Sequence, residues 1–300
     1  MSFANAKFIL GGEHSVVSRG RALAFPLPGL TLKVSINDSA PGLALVNGVA
    51  RSAEDFIKLQ NLCTLLGAAE RPNSLKIESM IPLGAGLGSS AALCVALSRL
   101  LHPNIGPTDL ATLALEGEKL FHLRASGVDP FAISLNVPVC FEAASLKVRP
   151  LNCDNFRSAG LFFKLIDTKL RRSTAEIQEQ VALLRERDPL IWEDLCDSLA
   201  SNVEAMMTAL ERGPARILSR ELGRLMNDSH FRLIQLGVST DAINEQAARI
   251  QRMPGCAGVK LTGAGRGGFL LALFSANEFD PSANGPLLEF AQEPFAWPGE

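Results

Sequence analysis

Residues 82–92 read PLGAGLGSSAA, between a strand-like run at 74–80 and an alanine- and leucine-rich helical pattern at Ser89–Leu101. Glycines take the backbone through positive φ and let it approach a ligand closely, and free N–H groups at the start of the next helix face whatever the loop holds. A phosphate suits that place; a tight structural turn capped by serine is the other reading of the same residues. The stretch lacks the lysine of G-x-x-x-x-G-K-[ST], so it is not a P-loop and its positive charge must come from elsewhere. Ser89 and Ser90 place hydroxyls on the first helical turn, where one could ligate the magnesium that accompanies a nucleoside triphosphate.

On the N-terminal side, residues 30–36 (LTLKVSI) alternate as a half-buried strand does, and residues 40–49 are a weaker strand candidate. On the C-terminal side, residues 107–123 show helical periodicity, opened by Thr108 or Asp109 as a cap after Pro107. Residues 174–213 place apolar side chains at Ile177, Val181, Leu184, Leu195, Leu199, Val203, Met206 and Leu210, the spacing of two or three helices. Strand-like runs at 258–261 and 268–274 flank a glycine-rich turn, and four prolines after residue 278 mark a loop or loose tail. The composition changes near residue 155, dividing the chain into domains at 1–155 and 156–300.

The 300 residues are 47% apolar and 20% charged, with 29 basic against 31 acidic side chains, a net charge of −2. That balance argues against disorder and against a basic nucleic-acid-binding face, so a small-molecule partner is expected. The opening MSFANAKFILGGEH has neither the basic segment nor the cleavage site of a secretory signal, and the uncharged stretch 79–98 is too interrupted by Pro82 and three glycines to span a membrane. Six dispersed cysteines without a C-x-x-C pair read as reduced thiols of a cytoplasmic protein. His102, His122 and His230 read as structural, since no pair of them has metal-ligand spacing.

A second loop, LTGAGRGGF at 261–269, matches G-x-G-x-x-G through Gly263, Gly265 and Gly268. An apolar strand follows it, not the helix of a dinucleotide fold.

Taken with KFILGGEHSVV at 7–17, these loops resemble the ordered motifs of the kinase superfamily acting on galactose, homoserine, mevalonate and phosphomevalonate. The likeness comprises Lys7 six residues before the glutamate of Gly12-Glu13-His14, the complete 82–92 motif, Glu118 eleven residues before the aspartate of Ser126-Gly127-Val128-Asp129, and Lys260 to Gly268. Residues 167–174 (DTKLRRST) and 226–243 (MNDSHFRLIQLGVSTDAI) are similar to the mevalonate kinase branch. The chain departs from the pattern at Asn5-Ala6 before Lys7, at Arg266 in place of a glycine, and over 134–141 (SLNVPVCF), where a glycine pair is missing. Arg266 either adds a phosphate contact or crowds the loop.

The resemblance implies an α+β, two-domain small-molecule kinase with a ribosomal-protein-S5-like N-terminal domain and a ferredoxin-like C-terminal domain. It implies ATP-dependent phosphorylation of the mevalonate 5-hydroxyl; phosphomevalonate or another small alcohol, and a catalytically silent nucleotide sensor, are the alternatives. It assigns Asp129 as the carboxylate that takes the hydroxyl proton, with Lys7 beside it. Pro82, Gly84, Ala85, Gly86, Leu87, Gly88, Ser89 and Ser90 would bind the nucleotide, and Ser90 and Glu118 the Mg2+ ion. Glu13, His14, Arg172, Thr174, Gly263 and Ala264 would line the substrate side, a guanidinium being suited to a carboxylate, although Lys169, Arg171 and Arg172 also read as a solvated face. Homodimerisation is a family-based expectation; no nucleic-acid or membrane partner is expected.

Overall fold

The computed structural model describes residues 1–36, 42–122, 125–170 and 174–276. Its first elements are β1 (Ser2–Gly11), α1 (Val16–Arg19), β2 (Arg21–Ser35), β3 (Leu43–Val46), β4 (Val49–Ala50), α2 (Ala53–Leu65), β5 (Ser74–Ser79), α3 (Ser89–Leu101), α4 (Pro107–Glu118) and α5 (Val128–Leu135). They are followed by β6 (Val139–Glu142), β7 (Lys147–Pro150), α6 (Asp154–Ser158), β8 (Leu161–Asp167), α7 (Thr174–Arg187), α8 (Pro189–Arg212), α9 (Ala215–Gln235), α10 (Asp241–Gln251), β9 (Cys256–Thr262) and β10 (Phe269–Ser275). The architecture is α+β, as expected. Two units interleave along the chain: Met1–Lys7, Pro26–Leu83 and Leu87–Val137 form one, and Phe8–Phe25, Gly84–Gly86 and Pro138–Glu300 the other.

In the first unit the far end of β2 runs antiparallel to β5, from Leu32 opposite Ser79 to Ser35 opposite Lys76. β3 lies parallel to β5. The strand expected over 40–49 is shorter because the chain reverses at Asn47 (φ 49°) and Gly48 (φ 78°), a two-residue Asn-Gly hairpin into β4. Helices α3, α4 and α5 pack on one another. α4 departs from expectation at both ends. Gly106 is its N-cap, with Pro107 in the first turn where a missing N–H costs nothing. It stops at Glu118, five residues before the expected end, because Leu120 N–H turns back to the Gly117 carbonyl at 3.1 Å and tightens the chain out of the α-helix. A Cβ on Gly117 would come within 3.0 Å of Cys94 Sγ, Leu62 and Leu66, so the end of α4 sits hard against α3 and α2.

In the second unit residues Arg21 to Ala24 of β2 pair antiparallel with β6, and β6 with β7. A separate antiparallel sheet has the order β8-β10-β9. Its face carries Ile166, Val259, Leu261 and Leu270 into a core with Trp192, Leu199, Leu233 and Ile243. Phe8, Phe25 and Phe156 surround Phe163 at ring-centroid distances of 5.3, 5.6 and 4.9 Å, an arrangement of edge and stacked contacts favoured by ring quadrupoles. The helical spacing over 174–213 resolves into α7 and α8, while the proline-rich tail expected after residue 278 lies outside the described residues. Among the described residues no helix is long and apolar enough to cross a membrane. None of the six cysteines is in a disulfide, and all but Cys256 are buried.

Candidate active site

Lys7 lies in β1, where its N–H donates to the Leu87 carbonyl at 3.1 Å and its side chain is only 2% exposed. A buried ammonium needs a counter-charge. Asp129 supplies it, with Oδ1 at 2.9 Å from Nζ. Asp129 stands in the first turn of α5, after Gly127 (φ 90°), so the positive end of that helix also holds its carboxylate. The carboxylate keeps 27% of its surface open, enough for a small reactant to reach it. Gly88 caps α3 at φ 76°, and a Cβ there would come within 3.0 Å of Lys7 Cε and 3.4 Å of Asp129 Oδ2. Gly88, the lysine and the aspartate therefore meet at one point.

A second cluster lies in the same unit. Glu118, the last residue of α4, is 3% exposed, and Ser90 Oγ in the first turn of α3 donates to its Oε1 at 3.3 Å. Burial pushes the Glu118 carboxyl up to about 8; the Asp129 charge adds to the rise, against Lys7 and the Ser90 hydrogen bond. A carboxylate so placed favours either a proton or a cation. Ser90 Oγ also lies 3.2 Å from His122 Nε2. Burial holds the His122 ring below its ordinary value, with Asp129 opposing and Lys7 assisting. His122 was expected to be structural; its position beside Ser90 was not expected, although its spacing four residues after Glu118 is that of one helical turn. Among the described residues no group of three or more His, Cys, Asp or Glu side chains could hold a metal unaided.

Within the second unit the other glycine-rich loop lies against residues 84–86. A Cβ on Gly263 would fall 2.9 Å from Gly86 Cα, and one on Gly268 would fall 2.6 Å from the Ala85 carbonyl oxygen. Only backbone fits at either contact. Segment 167–170 is fastened there too, since Thr168 Oγ1 donates to the Gly268 carbonyl at 2.8 Å and Gly268 N–H to the Leu170 carbonyl at 2.9 Å. Arg266 takes the left-handed backbone (φ 51°) that a glycine would adopt freely, and its guanidinium donates to the Gly237 carbonyl at 3.1 Å.

Glu13 and His14 occupy the turn after β1. Glu13 is 3% exposed and accepts at Oε1 from Lys260 Nζ, which also donates to the Leu261 carbonyl at 2.6 Å. Its other oxygen, Oε2, is buried without a hydrogen-bond partner. His14 donates from Nε2 to the Ala264 carbonyl at 2.9 Å; burial lowers its pKa, the carbonyl opposes this, and Lys260 assists. His230 Nδ1 accepts from Leu261 N–H at 3.2 Å, and burial, aided by Lys260, pushes the ring down to about 4. Lys260 belongs to the motif at 260–268 but had no role expected of it; a lysine inside the apolar strand GVKLT was the available signal. Thr174 opens α7, and Arg172 lies outside the described residues.

Comparison with known proteins places these features in a lineage. Residues 45–136 match the GHMP kinases N terminal domain and residues 206–284 the GHMP kinases C terminal domain. A mevalonate kinase of Archaeoglobus fulgidus is 32% identical over 92% of this chain and 92% of its own length. One from Pyrococcus horikoshii is 31% identical over 91% of this chain and 88% of its own. The crystal structure of L. major mevalonate kinase in complex with R-mevalonate superposes with a TM-score of 0.73 at 25% identity, covering 92% of this chain and 87% of that one.

Proposed function

We propose, from the premise that this chain belongs to the mevalonate kinase family of GHMP kinases, that it transfers the terminal phosphoryl group of ATP to the 5-hydroxyl of mevalonate. The observation that carries the reading is the Lys7–Asp129 pair at 2.9 Å beside the Gly88 cap of α3. Phosphoryl transfer asks the protein to align an alcohol with the γ-phosphorus, offset phosphate charge and take one proton. Asp129 accepts the hydroxyl proton as the alcohol oxygen bonds to phosphorus and the bond to the ADP oxygen breaks. Lys7 steadies the charge that develops on the alcohol oxygen.

The backbone of residues 82–90, with its glycines and the positive end of α3, is suited to cradle the phosphates. Ser90 and Glu118 offer a hydroxyl and a buried carboxylate, the hard oxygen donors magnesium takes, and the bound ion supplies neutralisation of phosphate charge. Glu13, His14, Gly263 and Ala264, with Arg172 and Thr174, are the residues assigned to the acceptor side. The cysteines, none of them in a disulfide, suit a reducing cytoplasm.

The test is ADP release by purified protein with ATP and magnesium, offered mevalonate, phosphomevalonate, homoserine or galactose in turn. Turnover on mevalonate above the other three is expected. Preference for phosphomevalonate overturns the substrate, and no turnover on any overturns the enzyme.

A further inference from the structure

We infer that His122 is a positioning residue for Ser90: its Nε2 accepts the Ser90 hydroxyl proton, leaving the oxygen lone pairs of Ser90 and Glu118 free for one divalent cation. The inference rests on the reading of Ser90 and Glu118 as cation ligands and adds to it a residue that the ligand set does not contain.

A serine hydroxyl carries one proton and two lone pairs. In the structure Ser90 Oγ has two partners competing for that proton, Glu118 Oε1 at 3.3 Å and His122 Nε2 at 3.2 Å. If Ser90 donates to Glu118, the hydrogen bond occupies a carboxylate lone pair that a hard cation would use. If it donates to His122, both oxygens face the cation with electrons only. Ligand oxygens in metal sites are oriented in this way by neighbours that do not touch the metal.

The backbone explains how the imidazole comes to be there. After α4 ends at Glu118, His122 N–H bonds to the Glu118 carbonyl at 3.0 Å and Phe121 N–H to the same carbonyl at 2.9 Å. That turn holds His122 one helical turn beyond Glu118, with its Nε2 3.2 Å from Ser90 Oγ.

The test uses the full chain with AMP-PNP and Mn2+, the cation followed by electron paramagnetic resonance. His122→Phe removes the acceptor and should weaken Mn2+ binding about tenfold, the scale of one lost hydrogen bond at a charged site, with metal-free AMP-PNP affinity unchanged. His122→Gln retains an acceptor oxygen and should restore Mn2+ affinity to within about threefold. In wild-type protein labelled with 15N-histidine and loaded with Mg2+ and AMP-PNP, His122 should resonate as the tautomer with Nε2 unprotonated. Wild-type Mn2+ affinity in the phenylalanine variant, or a protonated Nε2 in the loaded complex, overturns the inference. The tautomer measurement stands even if that variant does not fold. Undiminished Mn2+ binding in Glu118→Gln overturns the cation site itself, a failure distinct from that of His122.

Discussion

The Lys7 ammonium and the Asp129 carboxylate lie 2.9 Å apart, and a methyl group at Gly88 would crowd the Lys7 side chain, its Cβ falling 3.0 Å from Cε. Gly88→Ala should therefore carry two penalties. The left-handed backbone costs about 1–2 kcal/mol for a residue with a Cβ, and displacement of the Lys7 side chain should lower kcat by about 10- to 100-fold. Gly48 provides the control: its φ of 78° is similar, but nothing lies within 4 Å of where its Cβ would be. Gly48→Ala should lose comparable stability and retain wild-type kcat; equal loss of kcat in both variants contradicts the steric account.

Glu13 and Lys260 are a buried pair, so removing one partner strands the other. Lys260→Met should destabilise the protein by about 3–5 kcal/mol in urea unfolding, and Glu13→Gln combined with it should recover a large part of that loss. Additive losses would show that each side chain is held independently.

Stability should respond to acid through His230, whose pKa falls from 6.5 to about 4 on folding. Below 6.5 the unfolded chain binds a proton that the folded ring refuses, so this contribution is complete above 6.5 and lost as pH falls through 4. His230→Gln should flatten the unfolding free energy over that interval; an unchanged slope contradicts the burial assigned to the ring.

Glu118 has the opposite sign. Its carboxyl titrates near 4.5 when unfolded and about 8 when folded without ligand, so the folded chain holds the extra proton between those values. Stability from this group is complete below 4.5 and lost as pH rises through 8. Glu118→Gln should be more resistant than wild type to unfolding at pH 9 relative to pH 6, measured without nucleotide or divalent cation.

The chemistry was more legible than the architecture. The association of Lys7 and Asp129 was expected only through the family resemblance of their motifs, since 122 residues of sequence separation could not by themselves bring the two together. β8 was not legible because LFFKLID lacks the strict alternation of a half-buried strand. α5 begins in the Ser-Gly-Val-Asp motif and has a proline in its first turn, which reads as a loop until Gly127 is seen to cap it. The end of α4 was misplaced because Lys119 to His122 continue a helical pattern by propensity, whereas backbone bonds to Gly117 and Glu118 close the turn. The Glu13–Lys260 and Ser90–His122 contacts depend on tertiary packing, which no local pattern encodes.

The proposed phosphoryl transfer depends most on Asp129 as the group that takes the alcohol proton. Asp129→Asn keeps the shape and removes the base, so with saturating ATP, magnesium and mevalonate its kcat should fall by about 100- to 10,000-fold while AMP-PNP binds within about twofold of wild type. A variant that binds AMP-PNP normally and turns over mevalonate at the wild-type rate would contradict it.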